Sequence, residues 1–190
     1  MKIINDILLV SKIEAGKFKP KLENVSLSDV LNDSVQMLEV IAAKRRIKLN
    51  TLGFSYRPMV SVDSRALRQI LINVISNAVK FSPEDETVDI ECTGTDANGA
   101  VEMRVVDRGV GIPPDILREL GTPFVQAEGT YRRKFDGTGL GLAICYRLAE
   151  QMGVSIDIES TVNVGTTVRI FVKKSRAEPS APISKTAEAA

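Results

Sequence analysis

Residues 63–82 read DSRALRQILINVISNAVKFS, and this stretch combines a helical apolar period with a row of polar side chains. Its apolar residues recur at helical spacing and predict an amphipathic helix with one buried face: Leu67, Leu71, Val74, Ile75 and Ala78. A second stripe carries Asn73, Asn77 and Lys80 at positions i, i+4 and i+7. Because asparagine is a mediocre helix former, two of them in mid-helix need a reason. The stripe is either a solvated polar face or a row of amide oxygens and an ammonium facing an anionic ligand with its metal.

Patterns on either side of this helix alternate between helices and strands. Helical periodicity predicts further helices at residues 3–13, 27–44, 114–120 and 140–152. β-branched or alternating runs predict strands at residues 47–52, 59–62, 87–95, 101–106, 154–160 and 166–173. The first two strands flank a turn at 53–58, and the last two form a hairpin. We interpret 121–139 as a long loop.

Two features of the first helices add further expectations. Ser26 is expected to cap the helix of residues 27–44. The apolar stripe of the helix at 3–13 has no evident partner in the sequence. We therefore expect this stripe to pair with a helix outside the chain.

The composition excludes several classes of protein and site. The 190 residues include 25 Lys plus Arg against 24 Asp plus Glu, so the basic excess of a nucleic-acid backbone binder is missing. The apolar runs are too short to span a bilayer and no signal peptide opens the chain, which favours a cytoplasmic domain without membrane contact of its own, whether or not a full-length parent is membrane-anchored. Cys92 and Cys145 do not suggest a disulfide framework or a zinc site. The chain has no histidine, which excludes a histidine triad or a phosphohistidine within these residues.

Three glycine-containing motifs follow the helix of residues 63–81. Residues 107–112 (DRGVGI) place a carboxylate at a strand end before alternate glycines, although structural turns also use this pattern. Residues 137–142 (GTGLGL) place alternate glycines at a helix start, where N–H groups and the helix dipole favour a phosphate. Residues 165–167 (GTT) enter the last strand, with a bulge as the plain alternative. Each motif alone is ordinary, but their order and spacing are not.

With these motifs the chain resembles the catalytic ATP-binding domain of sensor histidine kinases in the GHKL superfamily. The matching segments are 69–82 (the N box), 107–112 (G1), Pro123 and Phe124 (the F box), 137–142 (G2) and 165–167 (the last glycine motif). Residues 5–16 resemble the end of the family's second dimerisation helix. Residues 120–126 resemble the F-box region of bacterial cell-division kinases. The resemblance implies a two-layer α/β sandwich, the Bergerat fold, with a mixed sheet of about five strands and three helices on one face.

The resemblance implies roles at the phosphate end of the site for three catalytic residues. Asn77 would coordinate Mg²⁺ through its side-chain oxygen, and Asn73 would support the metal–phosphate end. Lys80 would neutralise phosphate charge. Residues 125–136 correspond to the family's ATP lid. At least one of Arg132, Arg133 and Lys134 would touch the β- or γ-phosphate, unless this cluster is a solvated basic loop.

The resemblance implies further roles at the base end. Phe81 would lie against the adenine, and Asp107 would accept a hydrogen bond from its exocyclic amine. Gly109 and Gly111 would let the backbone pass close to the base. The expected ATP-binding residues are Asn73, Asn77, Lys80, Phe81, Asp107, Gly109, Gly111, Ile112, Phe124, Arg132, Arg133, Gly137, Thr138, Gly139, Leu140, Gly141, Leu142 and Thr166.

Asn73 also indicates what the site does with ATP. Related ATPases of the superfamily place a glutamate at this position, one turn before the metal-binding asparagine, to activate water. An amide cannot accept that proton at neutral pH, and a poised base is worth about 10²–10⁴-fold in rate. The residue therefore favours delivery of the γ-phosphoryl group to an acceptor other than water.

The resemblance divides the chain into three parts and implies its partners. Residues 1–17 would be the end of a dimerisation helix, 18–174 the catalytic ATP-binding domain and 175–190 a disordered tail. The domain would act on a histidine of a dimerisation domain in a homodimeric kinase, for relay to a response regulator. It is not expected to phosphorylate itself alone. Three alternatives stay open: an ATP-binding pseudokinase, an ATP-driven clamp and a serine kinase.

Overall fold

The computed structural model describes residues 2–53, 57–95, 99–120 and 139–175. The helices and strands in chain order are α1 (Lys2–Glu14), β1 (Glu23–Ser26), α2 (Leu27–Lys44), β2 (Lys48–Leu52), β3 (Met59–Val62), α3 (Ser64–Phe81), β4 (Thr87–Thr95), β5 (Ala100–Asp107), α4 (Pro114–Glu119), α5 (Gly141–Met152), β6 (Ser155–Thr161) and β7 (Gly165–Lys173). Every helix and strand predicted from the sequence in these ranges is present, with boundaries that agree or differ by one residue.

The main sheet has five strands in the order β2-β4-β5-β7-β6. β2 runs parallel to β4, and the other neighbours are antiparallel, so the sheet is mixed as expected. β1 and β3 form a separate antiparallel pair. The two strands predicted to flank the turn at 53–58 therefore lie in different sheets, because each finds its partner far away in sequence.

The three long helices α2, α3 and α5 cover one face of the main sheet, which confirms the predicted α/β architecture. Along β5 the buried side chains alternate and face these helices: Val101, Met103, Val105 and Asp107. The opposite face is charged and half-exposed. There Arg104 pairs with Glu102 at 3.2 Å and Glu91 at 3.6 Å. A face of this kind needs no second layer, since its charges are solvated.

The two ends of α3 are held by side-chain caps. Asp63 Oδ1 accepts hydrogen bonds from the backbone N–H groups of Arg65 (3.0 Å) and Ala66 (3.1 Å). At the other end Ser82 Oγ donates to the Ala78 carbonyl at 2.8 Å. Ser26 is the N-cap residue of α2 as expected, but its side chain makes no capping hydrogen bond, and its hydroxyl is buried without a partner among the described residues. The prediction of a side-chain cap at Ser26 was therefore wrong.

The apolar stripe of α1 is divided between the core and solvent. Ile13 is buried, and Leu9 and Val10 pack partly against the core. Ile4 and Leu8 stay more than half exposed. In the part of the chain that the structure describes, none of the helices is both long enough and apolar enough to cross a membrane.

Candidate functional site

Asp107 lies at the end of β5, on the face of the sheet that the helices cover. Its side chain is buried, and Oδ1 accepts hydrogen bonds from the backbone N–H groups of Gly109 (2.9 Å) and Thr166 (3.2 Å). Burial raises the pKa of this carboxyl above its usual value, and the two N–H groups lower it in part. Among the described residues nothing donates to Oδ2, so this oxygen is available to a ligand that brings its own donor.

The turn of residues 107–111 packs tightly on its surroundings. A Cβ at Gly109 would lie 2.6 Å from the Phe81 carbonyl oxygen and 2.8 Å from Asp107 Oδ1. Gly111 has φ +68°, and a Cβ there would lie 2.1 Å from the Thr161 carbonyl oxygen. The glycines thus place the turn between the C-terminal end of α3 and the β6–β7 hairpin. The structure gives them a packing role beside the expected approach to a base.

Thr166 stands beside Asp107, because the two are register partners across β7 and β5. On its other side Thr166 is paired with Ser160 of β6, and their hydroxyl oxygens are 2.9 Å apart. Ser160 Oγ also accepts from the Ile112 N–H at 2.8 Å and donates to the Gly165 carbonyl at 2.9 Å. Ser160 therefore joins the segment after the Asp107 turn to the start of β7.

The polar stripe of α3 lies between two contacts with other elements. Asn73 is buried, and its Nδ2 donates to the Gly141 carbonyl of α5 at 3.2 Å. Eight residues later Phe81 meets the Asp107 turn, where the Val110 N–H points to its carbonyl at 3.4 Å. At 1.5 Å per residue the two contacts are about 12 Å apart along the helix. Asn77 lies between them.

Lys80 and Phe81 occupy the end of this stripe. Both are half-buried, and Lys80 Nζ lies 5.1 Å from the centroid of the Phe81 ring. This distance allows a cation–π attraction. The predicted phosphate-binding cation and the predicted adenine-contacting ring are therefore next to each other.

The N-terminal end of α5 faces the middle of α3 through the Asn73–Gly141 bond. Gly139 has φ +69°, and the buried Leu140 is the N-cap residue of the helix. Gly141 and Leu142 are half-buried in its first turn. The first N–H groups of such a helix are the usual donors to a phosphate.

The structure brings most of the expected site residues together around α3, α5 and the adjoining sheet edge. Five expected ATP-binding residues lie outside the described residues: Phe124, Arg132, Arg133, Gly137 and Thr138. Within residues 2–53, 57–95, 99–120 and 139–175 no group of three or more His, Cys, Asp or Glu side chains could hold a metal. An amide oxygen at Asn77 fits a magnesium ion that arrives bound to phosphate oxygens, since Mg²⁺ takes few ligands from the protein in such sites.

Two contributors to the site were missed from the sequence. Ser160 lies in no glycine motif, and only its cross-strand register with Thr166 identifies it. Arg108 was not singled out within its motif, although its Nη2 donates to Asp89 Oδ2 at 2.7 Å and its Nη1 to the Thr87 carbonyl at 2.9 Å. Hydrogen bonds from Asn50 and then from Arg108 lower the pKa of the Asp89 carboxyl. These bonds fix the Asp107 turn to the neighbouring strand.

A family model described as histidine kinase-, DNA gyrase B- and HSP90-like ATPase matches residues 62–176. The chain belongs to this ATPase family. The matched region contains α3, the Asp107 turn, α5 and the last hairpin, and thus the whole candidate site. The resemblance to the sensor histidine kinase ATP-binding domain is confirmed.

Individual relatives agree with the family match. The chain is 38% identical over 170 residues to the non-motile and phage-resistance protein of Caulobacter vibrioides, covering 88% of this chain and 20% of that protein. It is 33% identical over 184 residues to the cell-division control histidine kinase PdhS of Brucella ovis, covering 93% of this chain and 18% of that protein. The chain thus spans about a fifth of the length of these two relatives.

A solved structure shares the fold. The crystal structure of full-length ShkA in complex with AMPPNP matches with a TM-score of 0.79 and 28% sequence identity, over 93% of this chain and 36% of the ShkA chain. The two-layer α/β architecture is therefore that of a histidine kinase ATPase domain, as expected from the sequence.

Proposed function

We propose that this domain binds ATP with Mg²⁺ along α3 and directs the γ-phosphoryl group to a histidine on a dimerisation domain. The observation that carries the proposal is the position of Asn77. It lies on the polar stripe of α3, between the α5 contact at Asn73 and the Asp107 turn at Phe81. Within the described residues no protein group forms a hydrogen bond with the Asn77 side-chain amide, so its oxygen is available to a ligand.

The base end of the site is suited to a purine that carries a hydrogen-bond donor. Asp107 Oδ1 is held by two backbone N–H groups, which orient the carboxylate and leave Oδ2 as an acceptor. An exocyclic amine supplies the matching donor. Phe81 lies at the edge of the same turn and offers its ring to the base.

The phosphate end would be held by Asn77, Lys80 and the first turn of α5. Mg²⁺, when bound with the nucleotide, neutralises phosphate charge, and Asn77 would supply one of its oxygen ligands. Lys80 adds a positive charge on the same stripe. The N–H groups at the start of α5 add donors and the positive end of the helix dipole. The expected contact of Arg132 or Arg133 in the lid with a phosphate stays a prediction.

Asn73 makes the site a poor catalyst of hydrolysis. Its buried amide donates to the Gly141 carbonyl and cannot take a proton from water at neutral pH. With no base at this position, bound ATP is preserved for an acceptor presented by a partner. In-line positioning and charge neutralisation are the main requirements of such a transfer.

The acceptor must come from another segment or another molecule, because the 190 residues contain no histidine. We propose that it is a histidine of the dimerisation domain of a homodimeric kinase, and that a response regulator receives the phosphoryl group next. Residues 1–17 would then be the end of the dimerisation helix, 18–174 the catalytic domain and 175–190 a tail. The relative PdhS, named a cell-division control histidine kinase, supports a histidine as the acceptor.

The test is phosphoryl transfer to a separately supplied dimerisation domain. The chain, labelled ATP and Mg²⁺ are mixed with a histidine-containing dimerisation domain of a related kinase. Acid-labile label on that domain, absent with its acceptor histidine changed to alanine and absent with Asn77→Ala in this chain, is the expected result. Label on this chain alone would contradict the proposal.

Other outcomes identify the alternatives. The pseudokinase has no support among the relatives reported above, and it would bind ATP without labelling any partner. Acid-stable label on the partner would indicate a serine kinase. Sustained phosphate release by the isolated chain would indicate an ATP-driven clamp, for which Asn73 is the wrong residue.

A further inference from the structure

Three side chains on neighbouring strands form a polar row at the base end of the site. Asp107, Thr166 and Ser160 are cross-strand partners on β5, β7 and β6, all on the face toward the helices. Thr166 contacts both neighbours, because its N–H donates to Asp107 Oδ1 and its hydroxyl oxygen lies 2.9 Å from Ser160 Oγ. The row thus connects the carboxylate of the site to a serine outside the glycine motifs.

The direction of each hydrogen bond in this row follows from counting protons. A serine hydroxyl has one proton to donate. The Gly165 carbonyl can only accept, so at 2.9 Å Ser160 donates its proton there. The Ile112 N–H can only donate, so Ser160 also accepts from it at 2.8 Å. In the remaining contact Ser160 must accept, and Thr166 must donate its hydroxyl proton to Ser160.

This direction determines what Thr166 can offer to a ligand. With its only hydroxyl proton directed at Ser160, Thr166 Oγ1 presents lone pairs and no donor. Asp107 Oδ2 beside it is likewise an acceptor. The two side chains together form a surface that matches donor groups and opposes acceptor groups.

We propose that Ser160 is a positioning residue that makes this site select a 6-amino purine over a 6-oxo purine. The proposal rests on the proposed function, in which the purine lies at Asp107. Ser160 holds the Thr166 hydroxyl in the acceptor orientation. A 6-amino group then meets acceptors to which it can donate directly, whereas a 6-oxo group meets them as a third acceptor. Without Ser160 the Thr166 hydroxyl rotates and can donate to the 6-oxo oxygen.

The test compares ATP with ITP, which differ at the 6-position and in the proton on N1. Dissociation constants of both nucleotides are measured by calorimetry with Mg²⁺ present. The parent chain should bind ATP more tightly, and Ser160→Ala should reduce the ITP-to-ATP ratio of dissociation constants by about tenfold, the worth of one mispaired polar contact. If Ser160 had a purely structural role, its loss would weaken the binding of both nucleotides equally. An unchanged ratio of dissociation constants in Ser160→Ala would therefore overturn the proposal.

Two further variants keep the test decisive. Thr166→Val removes the hydroxyl that Ser160 orients, so it should reduce the same ratio, and Ser160→Ala added to Thr166→Val should change the ratio no further. If Thr166→Val leaves the ratio intact, the proposal fails even where Ser160→Ala does not fold. Ser34→Ala is the matched control, because Ser34 is a buried serine whose hydroxyl donates to the Val30 carbonyl within α2 at 2.7 Å. Its ratio should equal that of the parent chain.

The wild-type measurement separates this proposal from the proposed function. If the parent chain binds neither nucleotide, the proposed ATP site is wrong. If it binds ATP and ITP equally well, the ATP site stands and the selection by Ser160 and Thr166 is wrong.

Discussion

Asn73 donates a hydrogen bond from its side-chain Nδ2 to the backbone carbonyl oxygen of Gly141, at 3.2 Å and across 68 residues of sequence. The bond joins the middle of α3 to the first residue of α5, so the N-box helix and the helix that follows the G2 motif are held together before any ligand binds. Asn77, one turn later on the same helix, is half-buried and makes no such contact among the described residues. The two asparagines of the stripe therefore have different tasks.

Removing the two amides should separate stability from binding. Asn73→Ala loses a buried hydrogen bond and leaves a small void, so we expect the free energy of unfolding to fall by about 1–3 kcal/mol. Asn77→Ala should change it by less than about 0.5 kcal/mol, since alanine is the better helix former and the side chain is half-exposed. Urea unfolding without nucleotide measures both. Equal losses would contradict the assignment of the structural bond to Asn73.

Asn77→Ala should abolish the Mg²⁺-dependent part of ATP binding while the fold persists. The variant removes the amide oxygen proposed as the protein ligand of the ion. Calorimetric titrations with Mg²⁺ and with excess chelator give the two affinities for each protein. The ratio of the dissociation constant with chelator to that with Mg²⁺ should exceed one in the parent chain and approach one in the variant. Full magnesium dependence in Asn77→Ala would remove this residue from the metal site.

Two glycines with nearly equal φ angles give a matched test of the Asp107 turn. Gly111 has φ +68° and a Cβ would lie 2.1 Å from the Thr161 carbonyl oxygen, whereas Gly153 has φ +65° and open space around it. Gly153→Ala should cost only the left-handed conformation, about 1–2 kcal/mol. Gly111→Ala adds an overlap with backbone, for a total of about 2–5 kcal/mol, and should also weaken ATP binding. Thermal unfolding of both variants measures the difference. Equal destabilisation would show that the turn can move away from the hairpin.

The helices and strands were predictable because their determinants are local. The predicted helix at 63–81 is α3, whose apolar period and capping residues lie within one short stretch. The five-stranded α/β class followed from the resemblance of the motifs. The strands at 47–52 and 59–62 flank a turn at 53–58, but their pairing partners were not predictable from this turn. Pairing depends on which edges the folded sheet leaves available, and both strands take partners elsewhere.

The candidate site was predictable in its motifs but not in its contacts. Asp107 and Asn77 stood out because a carboxylate at a strand end and an amide in mid-helix are unusual. The Asn73–Gly141 bond and the hydroxyl row at Ser160 depend on tertiary packing and strand register. Ser26 shows the reverse case, since a good capping residue stands at the right position and its hydroxyl makes no cap.

Asp107 should stabilise the fold less as the pH rises, because burial raises its folded-state pKa above 3.8. Between its unfolded and folded pKa values the folded protein binds the extra proton, so stability is greatest below this window and is lost as the pH rises through it. Asparagine does not titrate. The stability of Asp107→Asn relative to the parent chain should therefore increase from pH 4 to pH 7, while its ATP affinity falls by about ten- to a hundredfold.

Asp89→Asn is the matched control for this pH dependence, because the pKa of Asp89 is lowered by its hydrogen bonds to Asn50 and Arg108. The contribution of Asp89 is present above the unfolded pKa and is lost as the pH falls through the folded value. The stability of Asp89→Asn relative to the parent chain should thus decrease from pH 4 to pH 7, opposite in sign to Asp107→Asn. Urea unfolding of the three proteins at both pH values measures the two slopes. Slopes of the same sign would mean that burial does not dominate the pKa of Asp107. The hydrogen bonds from its two N–H donors would then outweigh the cost of burying its charge.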